Sequence, residues 1–157
     1  MRYLTVQEIA DLDRLYLRAF EAVEAIRAEL PVGRALHAVK VPPRLTESLV
    51  AASRGVIFGP GTVLLADCAP HDLAVRVRRG RLNVAVKGSG MGDWAAITNA
   101  DRAADALIWV DYRARLLDNA QPVVVRRIPI GRVPVEANRV FLGRLAGHAA
   151  SIRLWPS

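Results

Sequence analysis

Asp72 and Lys87 are the residues whose types and setting most readily support chemistry. Each adjoins an apolar run with a period of two. Leu73, Val75 and Val77 alternate with Ala74 and Arg76, and Leu82, Val84 and Val86 alternate with Asn83, Ala85 and Lys87. Between them Arg78-Arg79-Gly80-Arg81 is a natural tight turn, so the two runs read as a β-hairpin. A two-residue turn at Arg79-Gly80 pairs Arg78 with Arg81, and therefore Asp72 with Lys87 and Ala74 with Ala85. The apolar residues then share one face, while Asp72, Ala85 and Lys87 converge on the other. A carboxylate beside a lysine ammonium can order a water and stabilise developing negative charge.

Other chemistry-bearing residues fall into plainer roles. Gly88-Ser89-Gly90-Met91-Gly92 follows a strand, but its spacing is not G-x-G-x-x-G and no P-loop lysine follows, so it reads as a flexible turn. His37, His71 and His148 are too scattered for a metal site, although His71 abuts Asp72. Cys68 reads as a small core residue and Trp109 as core. Asp105 and Asp111 flank an apolar run and read as capping or ladder-end residues, and Asp93 as a turn residue.

The elements that must position Asp72 and Lys87 are legible on both sides. Thr5 and Glu8 form a capping box. After it Ile9, Leu12, Tyr16, Phe20, Val23, Ile26 and Leu30 recur at helical spacing up to Pro31, predicting one long amphipathic helix. A second helix is expected from Thr46 to Arg54 with Gly55 as its C-cap, then a turn at Gly59-Pro60-Gly61. Beyond the hairpin come a short strand from Trp94 to Thr98 and one helical turn capped by Asn99. A strand at 106–110 is expected to be buried on both faces, followed by another from Pro122 to Ile130. A closing helix is expected from Val135 to His148, with Val140, Phe141 and Leu145 inward. The fold class is thus α/β (α+β), a mixed central sheet flanked by helices in one domain. Its parts are an N-terminal helical region (1–43), a core (44–130) and a C-terminal helix and tail (131–157).

The run His71-Asp72 … Val84-Ala85-Val86-Lys87-Gly88 resembles the core of the PD-(D/E)XK nuclease superfamily, which includes many restriction endonucleases. That pattern is an aspartate opening one strand, then acid-x-lysine on its neighbour, often followed by glycine. Asp72 matches the aspartate and Lys87 the lysine, while Ala85 stands where the second acid belongs. Trp94, Thr98, Asp101 and the run from Asp105 to Asp111 resemble the segments that follow this motif. Thr46-Glu47-Ser48-Leu49-Val50 resembles the helix that often adds a glutamate. The resemblance covers roughly residues 44 to 130.

It implies a restriction-endonuclease-like fold and metal-dependent DNA cleavage of the restriction or defence type. Phosphodiester hydrolysis needs charge stabilisation on the phosphate and a deprotonated water in line with the leaving oxygen. Mg2+, with Mn2+ as substitute, supplies both and prefers carboxylate oxygens. On the family pattern Asp72, the acid expected at position 85 and the Val86 backbone oxygen would hold the ion, with Glu47 as an extra carboxylate. Lys87 would orient the water. With Ala85 at the acid position, metal affinity and rate should both fall sharply. The sequence is compatible with an alanine knock-out that traps a bound state and with a degenerate nuclease kept for binding or assembly. Ser89 and Gly90, with the turn arginines Arg78, Arg79 and Arg81, are the expected DNA contacts.

Bulk properties set the outer limits. The 157 residues fit one domain, and 52% apolar content is too high for a disordered chain. No apolar run is long enough to cross a bilayer, and no secretory signal is evident, so no membrane partner is expected. One cysteine excludes a disulfide framework and a thiolate zinc site and fits a reducing, cytoplasmic setting. Lysine and arginine outnumber aspartate and glutamate by 22 to 15, a net charge of +7, and almost all the cations are arginine. That balance suits a polyanion such as DNA. Cutting both strands suggests a homodimer, or a place in a larger defence complex. A non-catalytic DNA-binding or assembly module, and a small nucleotide- or protein-binding domain, are the competing readings.

Overall fold

The computed structural model describes residues 2–30, 39–92, 94–147 and 149–156. His37, Asp93 and His148 lie outside the described residues. Thr5 caps helix α1 (Val6–Glu29) through the expected capping box, its side chain accepting the Glu8 N–H while Glu8 accepts the Thr5 N–H. A cap of this kind contributes about 1 kcal/mol. Ile9, Tyr16 and Phe20 form its buried stripe.

The second helix departs from expectation at both ends. Helix α2 spans Pro43–Ala52, because a proline at the first helical turn already has helical φ and lacks only an N–H the helix would leave unpaired. Ser53 ends it, and Gly55 lies inside a short α3 (Arg54–Phe58) instead of capping α2. Gly59, at φ 110°, closes α3 and opens the expected turn.

A six-stranded sheet follows in the order β1-β2-β3-β5-β6-β9. Its strands are β1 (Val63–Leu64), β2 (Leu73–Val77), β3 (Gly80–Ser89), β5 (Ala106–Asp111), β6 (Val123–Pro129) and β9 (Ser151–Leu154). Strands β3 and β5 are parallel and every other neighbouring pair is antiparallel. The β3–β5 crossover carries β4 (Trp94–Ala96) and the single turn α4 (Asn99–Arg102), capped by Thr98 and not by Asn99. A short helix α5 (Arg113–Leu117) links β5 to β6.

The chain after β6 corrects the expected closing helix. Residues 135–147 form β7 (Val135–Glu136), β8 (Arg139–Phe141) and a 3-10 segment (Leu142–Gly147). Ala137 and Asn138 adopt φ of 50° and 61°, the left-handed pair that a tight hairpin turn requires, so helical spacing is broken there. Val140 and Leu145 point inward as expected, whereas Phe141 is exposed. β4, β8 and β7 make a second, three-stranded sheet.

The large sheet is covered on both faces. Leu73, Val75, Val84, Val86, Ile108 and Val110 pack with residues of α1 and α2. On the other face Ala85, Leu107, Trp109 and Ile128 pack with Ile97, Val140, Leu142 and Leu145. Buried Asp13 ties α1 to the α5 region: Arg115 donates to its carboxylate at 2.7 and 3.0 Å, and the Tyr112 hydroxyl donates at 3.1 Å. A buried charge is tolerated when paired and hydrogen-bonded in this way.

Candidate active site

The hairpin forms, with a register shifted by two residues from the expected one. Val77 pairs with Gly80 and Leu73 with Val84, so Arg78 and Arg79 are the turn and Gly80 takes φ 127° at the start of β3. A shift of two preserves which residues share a face. It changes the neighbours: one step beyond the last pair, Asp72 lies across from Ala85 instead of Lys87. Asp72 Oδ2 accepts the Val86 N–H at 2.8 Å, replacing a ladder partner just before β2 begins. In a strand a residue's N–H and C=O project to the same edge, so the Val86 carbonyl shares the Asp72 side. Tyr3 donates its hydroxyl to the Asp72 carbonyl at 3.1 Å.

Gly88 explains how Glu47 reaches this corner. A Cβ on Gly88 would meet Val41 Cγ1 at 2.6 Å and Thr46 Cγ2 at 2.7 Å, so only glycine lets α2 lie this close to β3. Glu47 follows Thr46 on that helix. Burial, then the nearby Asp72 carboxylate, push the Glu47 carboxyl up to about 7 against the opposing pull of Lys87. Burial also raises the Asp72 carboxyl above its ordinary value, against the Val86 N–H and Lys87. Asp72 and Lys87 thus both act electrostatically on Glu47, and Lys87 on Asp72.

Lys87 has a partner that the sequence reading left out of the site. Its Nζ stands 2.7 Å from Asp101 Oδ2, and Asp101 also accepts the Thr98 N–H. Burial alone would raise the Asp101 carboxyl, but the bonds from Lys87 and the Thr98 backbone outweigh it and hold it below the ordinary range. The capping pattern Thr98-x-x-Asp101 was visible in the sequence, but nothing in it pointed to Lys87. Arg126 is a largely buried cation two strands away from the strand of Lys87. It lies across from Trp109, itself across from Lys87, and its guanidinium sits 4.8 Å from the Trp109 ring centroid. Its Nε and Nη1 are buried with no hydrogen-bond partner among the described residues, Asp111 being 4.0 Å away.

Beside Asp72 opens a cleft of about 600 Å³, lined among others by Arg2, Tyr3, Glu47, Cys68 and His71. His71 Nδ1 is buried there without a hydrogen-bond partner among the described residues. Cys68 is only partly buried and lines the cleft, which corrects its reading as a core residue. The chain matches no family model, no curated protein and no solved structure.

Position 85 holds a methyl group that is 1% exposed, packed in the second apolar cluster. Asp72 spends one carboxylate oxygen on Val86, and burial pushes the Glu47 carboxyl up to about 7. Among the described residues no three His, Cys, Asp or Glu side chains are grouped so as to hold a metal ion. A hard divalent cation needs more oxygen ligands than this. Among the described residues the donor set falls short of what Mg2+ or Mn2+ ordinarily takes.

The expected DNA contacts divide. Ser89 is buried and its Oγ accepts the Trp109 indole N–H at 2.8 Å. A Cβ on Gly90 would lie 2.7 Å from the Tyr16 hydroxyl, so Gly90 serves the packing of α1. Ser89 is the last residue of β3, and Gly90 follows it directly. Arg78, Arg79 and Arg81 are exposed at the hairpin tip with Arg76, which pairs directly with Arg81. Like charges placed opposite each other destabilise a hairpin. Arg81 donates to Asn83 and to the Asp67 carbonyl, and none of the four has an acidic side-chain partner among the described residues. Asp105 and Asp111 take the expected ladder-end and capping roles, accepting the N–H groups of Asn83 and Arg113. Among the described residues no helix is long and apolar enough to cross a membrane.

Proposed function

We propose that this chain is a DNA-binding domain with the site layout of a PD-(D/E)XK nuclease of the restriction or defence type, whose phosphodiester hydrolysis is lost or severely impaired at position 85. What supports the reading is the hairpin register, which carried one step past the Leu73–Val84 pair sets Ala85 across from Asp72, together with the electrostatic influence of Asp72 and Lys87 on Glu47. The arginine tip supports the binding part, because it concentrates positive charge that has no acidic side-chain partner among the described residues and that a phosphate backbone would neutralise. Ala85 packed among apolar side chains favours a degenerate centre over a knock-out. Lys87, paired with Asp101, then serves the fold and the local charge balance. A homodimer remains part of the proposal, since two-fold symmetry would present two such domains to a duplex.

Plasmid nicking in Mg2+ and in Mn2+ tests the reading, with the native chain beside Ala85→Glu and the isosteric control Ala85→Gln. Only the folded glutamate variant is expected to cut. All three are expected to bind duplex DNA with a steep negative salt slope, and replacing Arg78 and Arg79 by alanine should reduce that slope by about one unit each. A folded Ala85→Glu variant that binds without cutting removes the nuclease part. Absence of DNA binding by the native chain removes the whole.

A further inference from the structure

Trp94 and Phe141 lie opposite each other across the β4–β8 ladder, and both face solvent, at 50% and 40% exposure. Strand alternation explains why. Ala95, Val140 and Val135 turn inward onto the second core, which leaves Trp94, Ala96, Arg139 and Phe141 on the outer face of the small sheet. Two exposed aromatic rings side by side on a sheet whose other face is buried form a small apolar patch on which a flat ligand can stack.

The charges around the rings narrow the ligand. The Arg139 guanidinium sits 4.4 Å from the Trp94 ring centroid and that of Arg144 sits 5.5 Å from Phe141. Glu136 lies across the β7–β8 ladder from Arg139, but its carboxylate pairs with Arg144 at 2.9 Å. Arg139 thus has no acidic partner among the described residues. Exposed aromatic rings already stacked with guanidinium groups, one of them without an acidic partner among the described residues, match a nucleobase with its adjoining phosphate. A protein interface would need a wider apolar centre than two rings and an alanine.

We propose that the outer face of the β4-β8-β7 sheet holds an unpaired nucleotide of a nucleic-acid strand, with a base stacked on Trp94 or Phe141 and its phosphate against Arg139. The proposal rests on the DNA-binding reading and adds to it a preference for unpaired bases. Stacking on aromatic side chains tolerates any base, because every base offers a π face, and a neighbouring cation adds salt dependence.

Tryptophan fluorescence and anisotropy of the full chain titrated with oligothymidylate, and with a duplex of equal length, provide the test. Single-stranded DNA is expected to quench fluorescence. Trp94→Ala and Phe141→Ala should each weaken that binding about tenfold or more, and Trp94→Phe should restore most of it. Arg139→Ala should flatten its salt slope. Duplex affinity, carried by the hairpin tip, should change less than about twofold. If the native chain binds duplex but single-strand affinity ignores position 94, the proposal fails while the DNA reading stands. If Trp94→Ala dissociates a dimer in sedimentation and leaves oligonucleotide binding intact, the platform is a contact between copies and the proposal fails. If the native chain binds neither form of DNA, both fall together.

Discussion

Lys87 Nζ stands 2.7 Å from Asp101 Oδ2, tying the end of β3 to the crossover that leads into β5. The pair is largely withdrawn from solvent, with side-chain exposures of 20% and 8%. A lysine so placed is neutralised by the fold itself, and its freedom depends on Asp101.

Asp101→Asn removes the charge while keeping an oxygen for the Thr98 N–H. The variant should lose about 1–3 kcal/mol of stability at pH 7, because Lys87 is left half-buried without its counter-ion. The folded Asp101 carboxyl lies below its ordinary value of 3.8. Its contribution is therefore fully present above pH 3.8 and is lost as pH falls through the lower, folded value. Denaturant melts of both proteins between pH 7 and pH 2.5 should converge at the acid end. Parallel curves would show that the pair carries no net stabilisation.

Glu47 acts in the opposite sense. Its carboxyl titrates near 7 in the folded protein against 4.5 ordinarily, so between those values the folded state binds the extra proton. Stability should therefore fall as pH rises from about 4.5 to 7 and level off above. Glu47→Gln should remove this slope and leave the variant the more stable at pH 8, on the order of 1 kcal/mol after solvent screening, a Tm gain of about 2–4 °C. Thermal melts across that range decide it, and a Gln variant that melts below the native chain at pH 8 contradicts the burial of Glu47.

Gly88→Ala tests the close approach of α2 to β3. The added methyl would meet Val41 and Thr46 well inside contact distance, and should cost about 1–3 kcal/mol. Gly55→Ala, in open space within α3, should cost nothing or stabilise slightly. The Gly88 variant should also shift the Glu47 titration followed by carboxyl NMR, because the helix that carries Glu47 must move. A melt unchanged by Gly88→Ala would mean that α2 can slide without loss.

Period and capping carried the sequence reading far. The capping box of Thr5 and Glu8, the alternation around Leu73 and Val84, and the unbroken apolar run of β5 each specify a local structure that tertiary packing leaves intact. What failed were features decided by single backbone angles or distant partners. Gly80 offered itself as a turn residue, yet it uses its positive φ to open β3, and the register moved by two. Val140, Phe141 and Leu145 lie at helical spacing, but Ala137 and Asn138 turn the chain into a hairpin. Asp72, Glu47 and Lys87 were singled out by motif, and the structure adds that Asp72 and Lys87 act electrostatically on Glu47. The contact of Asp101 with Lys87 was not legible, because it is made through a crossover neighbour that no local pattern encodes.

The parallel pairing of β3 with β5 bears on when this corner comes into being. Antiparallel strands can zip from a short turn, but parallel ones must first close the loop between them, an entropic cost met before any contact rewards it. Glu47, Asp72, Lys87 and Asp101 come from a helix, a strand entry, a strand end and that very loop. In refolding, the α1 helix and the β2–β3 hairpin can form from neighbouring residues, whereas the corner exists only after the crossover has closed. Its charge network is therefore a late marker of folding, and a chain that stalls with its hairpin made would show the arginine tip before it shows the site.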